Sequence, residues 1–215
     1  MDSCISSSLL SQPSVLSEGE ADRVSVVIRP AQFRDLRGLA EVLTRGFHPT
    51  SGWLVWLYPL LKLGIYEDLR HRLGSSSPFH TCLVASLPAA GGDRIVGTVE
   101  IALRPSCPWG KTHPQSLYIS NLVVAGDYRR QGVARKLLLK CDQIALEWGF
   151  TVLCLHVLEN NQPAKQLYFS SGYALELVEP YLGHWLFNQP RRLFLTKALT
   201  SSQTKLSLSR RDPRL

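Results

Sequence analysis

Four residues near the middle of the chain, Arg129, Arg130, Gln131 and Gly132, stand between a β-branched run ending at Val124 and an apolar-periodic run starting at Val133. The pattern reads as strand, tight turn and helix start. The first amides of a helix have no partner within it, and the aligned peptide dipoles add partial positive charge there. Such a start can hold an anion. Gly132 lets a bound group approach the backbone, Ala134 keeps the next position small, and Arg129, Arg130 and Arg135 add full charges. The arrangement fits a diphosphate held without a metal ion. An ordinary turn with solvated arginines fits the same residues. The Gly-x-Gly-x-x-Gly dinucleotide fingerprint and the phosphate-binding P-loop pattern are both absent.

Other residues able to do chemistry are more scattered. Asn161 is followed by Ala164, Leu167 and Tyr168, then Gly172 and Tyr173. Ala164, Leu167, Tyr168 and Ser171 share one helix face, a spacing that alone makes Tyr168 a core aromatic. Tyr118 and His156 lie in two strand-like runs, where a packed tyrosine and a hydrogen-bonded histidine are the plain readings. An unperturbed histidine titrates at about 6.5, within reach of proton transfer at neutral pH. Glu100 is a third group of this kind.

Positioning these groups requires strands alternating with helices. Residues 24–29 are β-branched and stop at Pro30, which predicts a strand. Phe33, Leu36, Leu39, Ala40 and Leu43 predict an amphipathic helix ending near Gly46, and residues 65–73 a second helix stopped by Gly74. Runs 81–87 and 94–103 around a Gly91, Gly92, Asp93 turn predict a hairpin. Residues 116–125 read as a strand and 132–148 as the clearest helix, with Val133, Leu137, Ile144 and Trp148 on one stripe. A strand over 151–158, a short helix over 163–171 and a closing strand pair at 173–179 and 192–197 complete the pattern. The class is α/β with a mixed sheet.

The 215 residues suit one domain over 24–200, with a disordered extension at 1–23 and a disordered basic tail at 201–215. The formal charge of +7 divides into −3 over residues 1–23, +3 from residue 201 onward and +7 between. A basic core suits nucleic acid or a phosphate-rich ligand, and no nucleic-acid motif is present, so nucleic acid is not an expected partner. No apolar run reaches the roughly 18 residues of a membrane span. The five cysteines, an odd number without a Cys-x-x-Cys pair, give neither a disulfide framework nor a zinc site. The Ser-rich start lacks a basic residue before Arg23, which favours a cytoplasmic protein over one imported into the plastid stroma.

The segment around Arg129, Gly132 and Ala134 resembles the acetyl-CoA loop of the GNAT (Gcn5-related N-acetyltransferase) superfamily, whose pattern is Arg/Gln-x-x-Gly-x-Gly/Ala. Asn161 with Ala164, Leu167 and Tyr168 resembles that family's second motif. The strong match covers residues 117–173. The resemblance implies a GNAT fold: a mixed sheet of about six to seven strands, flanked by helices and splayed around the cofactor. It implies acetyl-CoA as co-substrate, no metal, and direct transfer to an amine. Leu122, Val123 and Val124 would pair with the pantetheine arm. The amides from Arg130 through Gln131, Gly132, Val133 and Ala134 to Arg135 would cradle the pyrophosphate. Asn161 would contact the cofactor, and Tyr168 would protonate the departing thiolate. Tyr118 with His156 is similar to the Tyr and His of NatE-type Nα-acetyltransferases, which makes them candidate bases. The long region 47–74, with Trp53, Trp56, Tyr58 and Tyr66, resembles plastid and cyanobacterial GNAT proteins and suggests a wall for a peptide-like acceptor. The loop 180–189, with Tyr181, His184 and Trp185, would help grip it. The expected acceptor is a protein or peptide amine, with a small-molecule amine or a non-catalytic CoA sensor as alternatives. The oligomeric state is not legible.

Overall fold

The computed structural model describes residues 25–47, 58–74, 77–89, 92–103, 116–179 and 190–200, with side chains omitted at 47 and 58–61. Both expected tails, residues 53 and 56, and the loop 180–189 lie outside the described residues.

Seven strands form one sheet in the order β1-β2-β3-β4-β5-β7-β6. They are β1 (Val27–Pro30), β2 (His80–Leu87), β3 (Arg94–Leu103), β4 (Ser116–Val124), β5 (Val152–Leu158), β6 (Ala174–Val178) and β7 (Arg192–Ala198). Every pairing is antiparallel except β4 with β5. Among the described residues, four α-helices cover it: α1 (Leu36–Phe47), α2 (Tyr58–Gly74), α3 (Val133–Glu147) and α4 (Gln162–Ser170). The sheet is therefore mixed, as the alternation of runs predicts. β7 enters between β5 and β6, an order that local sequence cannot specify.

Two apolar layers hold the sheet. On one face α3 seats Val133, Leu137, Leu138, Cys141 and Ile144 against Leu83, Leu117, Leu153 and Leu195. On the other, Leu36, Leu39, Val42 and Leu43 of α1 and Leu69 of α2 pack on Cys82, Val84, Ile95 and Val123. Leu39, Leu137 and Leu138 are almost wholly withdrawn from water, and each such burial is worth about 2 kcal/mol. Tyr66 packs half-buried against the second layer, so its ring serves that core and not an open wall.

One helix boundary differs from expectation. α2 begins at Tyr58, seven residues before the predicted start, because Pro59 is tolerated in a first turn that needs no amide donor there. α1 ends at Phe47, next to Gly46, as expected. A Cβ at Gly46 would overlap the Val123 side chain, so this glycine lets α1 lie close on β4. At the N-terminal end of α1, Arg29 of β1 donates to both oxygens of buried Asp35, at 2.6 and 2.9 Å. That fork ties the first strand to the first helix.

Candidate functional site

β4 and β5 are paired at only three positions, Ser116↔Val152, Leu117↔Leu153 and Tyr118↔Cys154. Beyond them β4 continues against β3 alone, through Val123↔Thr98 and Val124↔Gly97. The cause is visible in the register. Two steps on β3, from Thr98 to Glu100, face three on β4, from Val123 to Ser120. The extra residue is a bulge, which bends the strand and re-aims its edge. Asn121 sits in it with φ 53°. Among the described residues, no strand meets the outer edge of Leu122–Val124. Leu122 and Val124 pack towards the larger core and Val123 towards the smaller. The side chains are thus used for packing, while the backbone edge faces the gap between β4 and β5.

The turn after β4 curls back on itself. Arg130 has φ 64° and Gly132 φ 80°. Alternating left-handed residues bring successive amides to one side, a concavity suited to anions. Nothing lies within 4 Å of a Cβ built on Gly132, so glycine is needed there for its backbone angle and for close approach, not for crowding. Gly132 is the N-cap of α3, and no side chain caps the helix. The first intrahelical donor is the Lys136 amide, to the Gly132 carbonyl at 3.0 Å. The amides of Val133, Ala134 and Arg135 precede it and have no partner in the helix. These residues fit a diphosphate.

The charged side chains around that turn are partly engaged. Arg129 Nε donates to the Val124 carbonyl at 3.1 Å, and Gln131 Nε2 to the Asp127 carbonyl at 2.9 Å. Both brace the turn from outside. Arg135 donates to Ser170 Oγ at 3.0 Å and ties α3 to α4. Its guanidinium therefore serves helix packing, and its amide is the part that faces the turn.

Across the gap, α4 starts at Asn161, whose Oδ1 accepts from the Ala164 amide at 3.2 Å. This is an ordinary Asx cap followed by Pro163. Tyr168 lies on the inner face of α4, 8% exposed, edge-on to Tyr173 at 5.7 Å. Burial pushes its phenol up to about 12, with the Tyr118 and Cys141 groups adding to the rise. The phenol therefore stays neutral throughout the working range.

Tyr118 and His156, far apart in sequence, do meet. The Tyr118↔Cys154 register places His156 two residues further along β5, on the same face. Tyr118 Oη lies 2.9 Å from His156 Nδ1. The imidazole also stacks obliquely on Phe194 at 5.0 Å. Its other nitrogen, Nε2, lies 2.6 Å from Glu179 Oε1. No sequence motif pointed to Glu179. It follows β6 and reaches His156 across β7, a neighbour that only the strand order creates.

Glu100 is differently employed. It is buried on β3 and receives Arg72 at 3.0 Å, His80 at 2.7 Å and Asn121 at 2.7 Å. Burial alone would raise its pKa. The His80 hydrogen bond, the Arg72 charge and the Asn121 donor outweigh it and hold the carboxyl below the usual range. A carboxylate so stabilised is a weak base. Glu100 is the hub that joins α2, β2 and the β4 bulge. Among the described residues, no group of three or more His, Cys, Asp or Glu could hold a metal ion, and no helix is long and apolar enough to cross a membrane.

A model of the acetyltransferase (GNAT) family matches residues 50–173. The chain is 42% identical over 141 residues to GCN5-related N-acetyltransferase 7, chloroplastic, of Arabidopsis thaliana, a match covering 60% of this chain and 50% of that protein. The match thus spans half the length of this relative. The chain is 32% identical over 117 residues to the thialysine N-epsilon-acetyltransferase of Bos taurus, covering 53% of this chain and 66% of that one. Among solved structures it resembles the PaiA N-acetyltransferase of Thermoplasma acidophilum in complex with coenzyme A, with a TM-score of 0.61 at 17% identity, over 81% of this chain and 99% of the other. At that identity the likeness is one of fold.

Proposed function

We propose, from the premise that this chain belongs to the acetyltransferase (GNAT) family, that it transfers an acetyl group from acetyl-CoA directly to a protein amine. The acceptor is an N-terminal α-amine, a lysine ε-amine, or both. The observation that carries the reading is the parting of β4 from β5 after three residue pairs, next to an uncapped helix start. A strand edge and a ring of amides are what a pantetheine arm and a pyrophosphate need.

Acetyl-CoA supplies an activated thioester. The chain's residues bind, orient and move protons. Leu122, Val123 and Val124 offer backbone groups to the pantetheine amides, and the Val123 N–H polarises the acetyl carbonyl. The amides from Arg130 to Arg135 hold the diphosphate, with Arg129 and Gln131 bracing the turn. Asn161 uses its oxygen to cap α4, which leaves its Nδ2 as the atom that would donate to the cofactor. Tyr168 keeps its proton at Oη until the thiolate leaves. Tyr118 and His156 take a proton from the incoming ammonium, since only the neutral amine is a nucleophile. Holding amine and thioester together accounts for much of the acceleration.

A small-amine acceptor is the second reading, favoured by the thialysine enzyme among the relatives. The Tyr118 and His156 pair, like that of NatE-type enzymes, favours a peptide N-terminus. Acetyl-CoA turnover on a panel of peptides, lysine peptides, thialysine and polyamines separates the two. Activity confined to free amines removes the protein acceptor. The chloroplastic relative supports the plastid over the cytoplasm as the site of action. A fluorescent fusion of the full chain that stays outside plastids overturns that assignment.

A further inference from the structure

We infer that Glu179 is a positioning residue that fixes the tautomer of His156, so that Tyr118 receives the acceptor's proton through a three-membered relay. This rests on the acetyl-transfer reading above and deepens it.

The geometry sets the direction. Glu179 Oε1 lies 2.6 Å from His156 Nε2, and a carboxylate can only accept. The proton of the neutral imidazole therefore sits on Nε2, and Nδ1 presents a lone pair. Tyr118 Oη, 2.9 Å from Nδ1, must then be the donor in that contact. A phenol oxygen that donates its proton still carries two lone pairs, and one of them can accept a proton from the acceptor amine. His156 is almost closed to water, at 9% side-chain exposure, and Glu179 is 22% exposed. The carboxylate is itself oriented. The Glu179 amide donates to the Arg192 carbonyl at 2.9 Å, and its second oxygen lies 3.5 Å from Arg192 Nε. The groups facing the imidazole include Tyr118 from β4, Glu179 beyond β6 and the uncharged Phe194 ring from β7, with Arg192 of β7 behind the carboxylate.

The proton count closes. An acceptor ammonium gives one proton to Tyr118 Oη as the Tyr118 proton passes to His156 Nδ1. The imidazolium so formed is held by the Glu179 carboxylate and returns its proton to solvent. The amine nitrogen keeps the electron pair, forms the C–N bond as the C–S bond breaks, and its second proton reaches the sulfur through Tyr168. Without Glu179, Nδ1–H competes with Nε2–H, and an Nδ1–H imidazole cannot accept from Tyr118.

The test compares wild-type protein with Glu179→Ala, Glu179→Gln and Glu179→Asp, by nitrogen-15 NMR of His156 and by the pH profile of turnover. In wild type the neutral imidazole is the Nε2–H form. Glu179→Ala mixes the tautomers and lowers kcat by roughly tenfold to a hundredfold, a part of what acid–base catalysis supplies, with the acceptor KM little changed. Losing a carboxylate beside an imidazolium lowers the histidine pKa, so the acidic limb of kcat/KM moves to lower pH. Glu179→Gln keeps an acceptor oxygen and the tautomer but shows the same limb shift. Glu179→Asp restores part of kcat. An unchanged tautomer and unchanged profile in Glu179→Ala overturn the proposal. Absence of turnover on every amine in wild type sinks the acetyl-transfer reading instead, and the NMR result still decides what Glu179 does to His156.

Discussion

Asn121 Nδ2 donates to the buried Oε2 of Glu100 at 2.7 Å, from a backbone held at φ 53°. The side chain of the bulge residue on β4 is thus tied back to β3, the strand it pairs with. A non-glycine residue in the left-handed region is strained by about 1 kcal/mol, and the bond to a charged partner offsets it. Asn121→Ala keeps the strain and loses the bond. It should cost about 2 kcal/mol in chemical denaturation and raise the KM for acetyl-CoA several-fold as β4 settles back towards β5. Asn121→Gly loses the bond but relieves the backbone, so it should be less destabilised than the alanine variant. Equal stability in the two would show that the angle at this position carries no strain.

Tyr168→Phe retains the ring that packs against Tyr173 and removes the proton. We expect kcat to fall about 100-fold with folding intact. The sign of the pH effect follows from the raised pKa. The acid form is the useful one, and burial keeps it populated up to about 12. No alkaline loss of activity from this group is therefore expected between pH 8 and the limit of protein stability, on about the scale set by an ordinary phenol at 10. Full turnover in the phenylalanine variant would assign the acid elsewhere.

Gly132→Ala tests the turn. Its Cβ meets no atom within 4 Å, so any cost comes from the φ of 80°, about 1 kcal/mol for a left-handed alanine. Calorimetric titration with coenzyme A should show weaker binding, and acceptor KM should hold. Unchanged affinity would mean that this backbone angle does not shape the anion site.

Beside Tyr173, Lys197 of β7 donates to Asp142 of α3 at 2.7 Å, both largely buried. Among the described residues, Asp142 Oδ1 and Tyr173 Oη have no hydrogen-bond partner. Removing one charge strands the other. Asp142→Leu should therefore lose about 3 kcal/mol, and the double variant Asp142→Leu with Lys197→Met should recover most of it. Denaturant unfolding of the three proteins checks this, and additive losses would argue that the two charges act independently.

The parts of the molecule legible in the sequence are those written in local periodicity. The α3 stripe of Val133, Leu137 and Ile144, the β2–β3 hairpin, and the turn at Arg129–Gly132 all follow from short-range patterns. So does Tyr168 on the inner face of α4. The α2 start was hidden because Pro59 reads as a breaker, although it is harmless in a first turn. The close contact of Gly46 with Val123 leaves no local trace. The pairing of Tyr118 with His156 came from a family likeness and not from spacing. Glu179 had no signal at all, since it reaches His156 only because β7 folds in between β5 and β6. Glu100 read as a possible base because the three donors that hold it come from α2, β2 and the β4 bulge.

The short contact between β4 and β5 also has a mechanical meaning. Four antiparallel strands on one side and three on the other are joined in the sheet by Ser116, Leu117 and Tyr118. Within the sheet these halves are two plates that share backbone bonds at those three pairs, while α3 packs across both. A ligand lodged in the cleft would bridge the plates and damp their rocking, so amide exchange at those pairs should slow when coenzyme A is added, even for residues that never touch it.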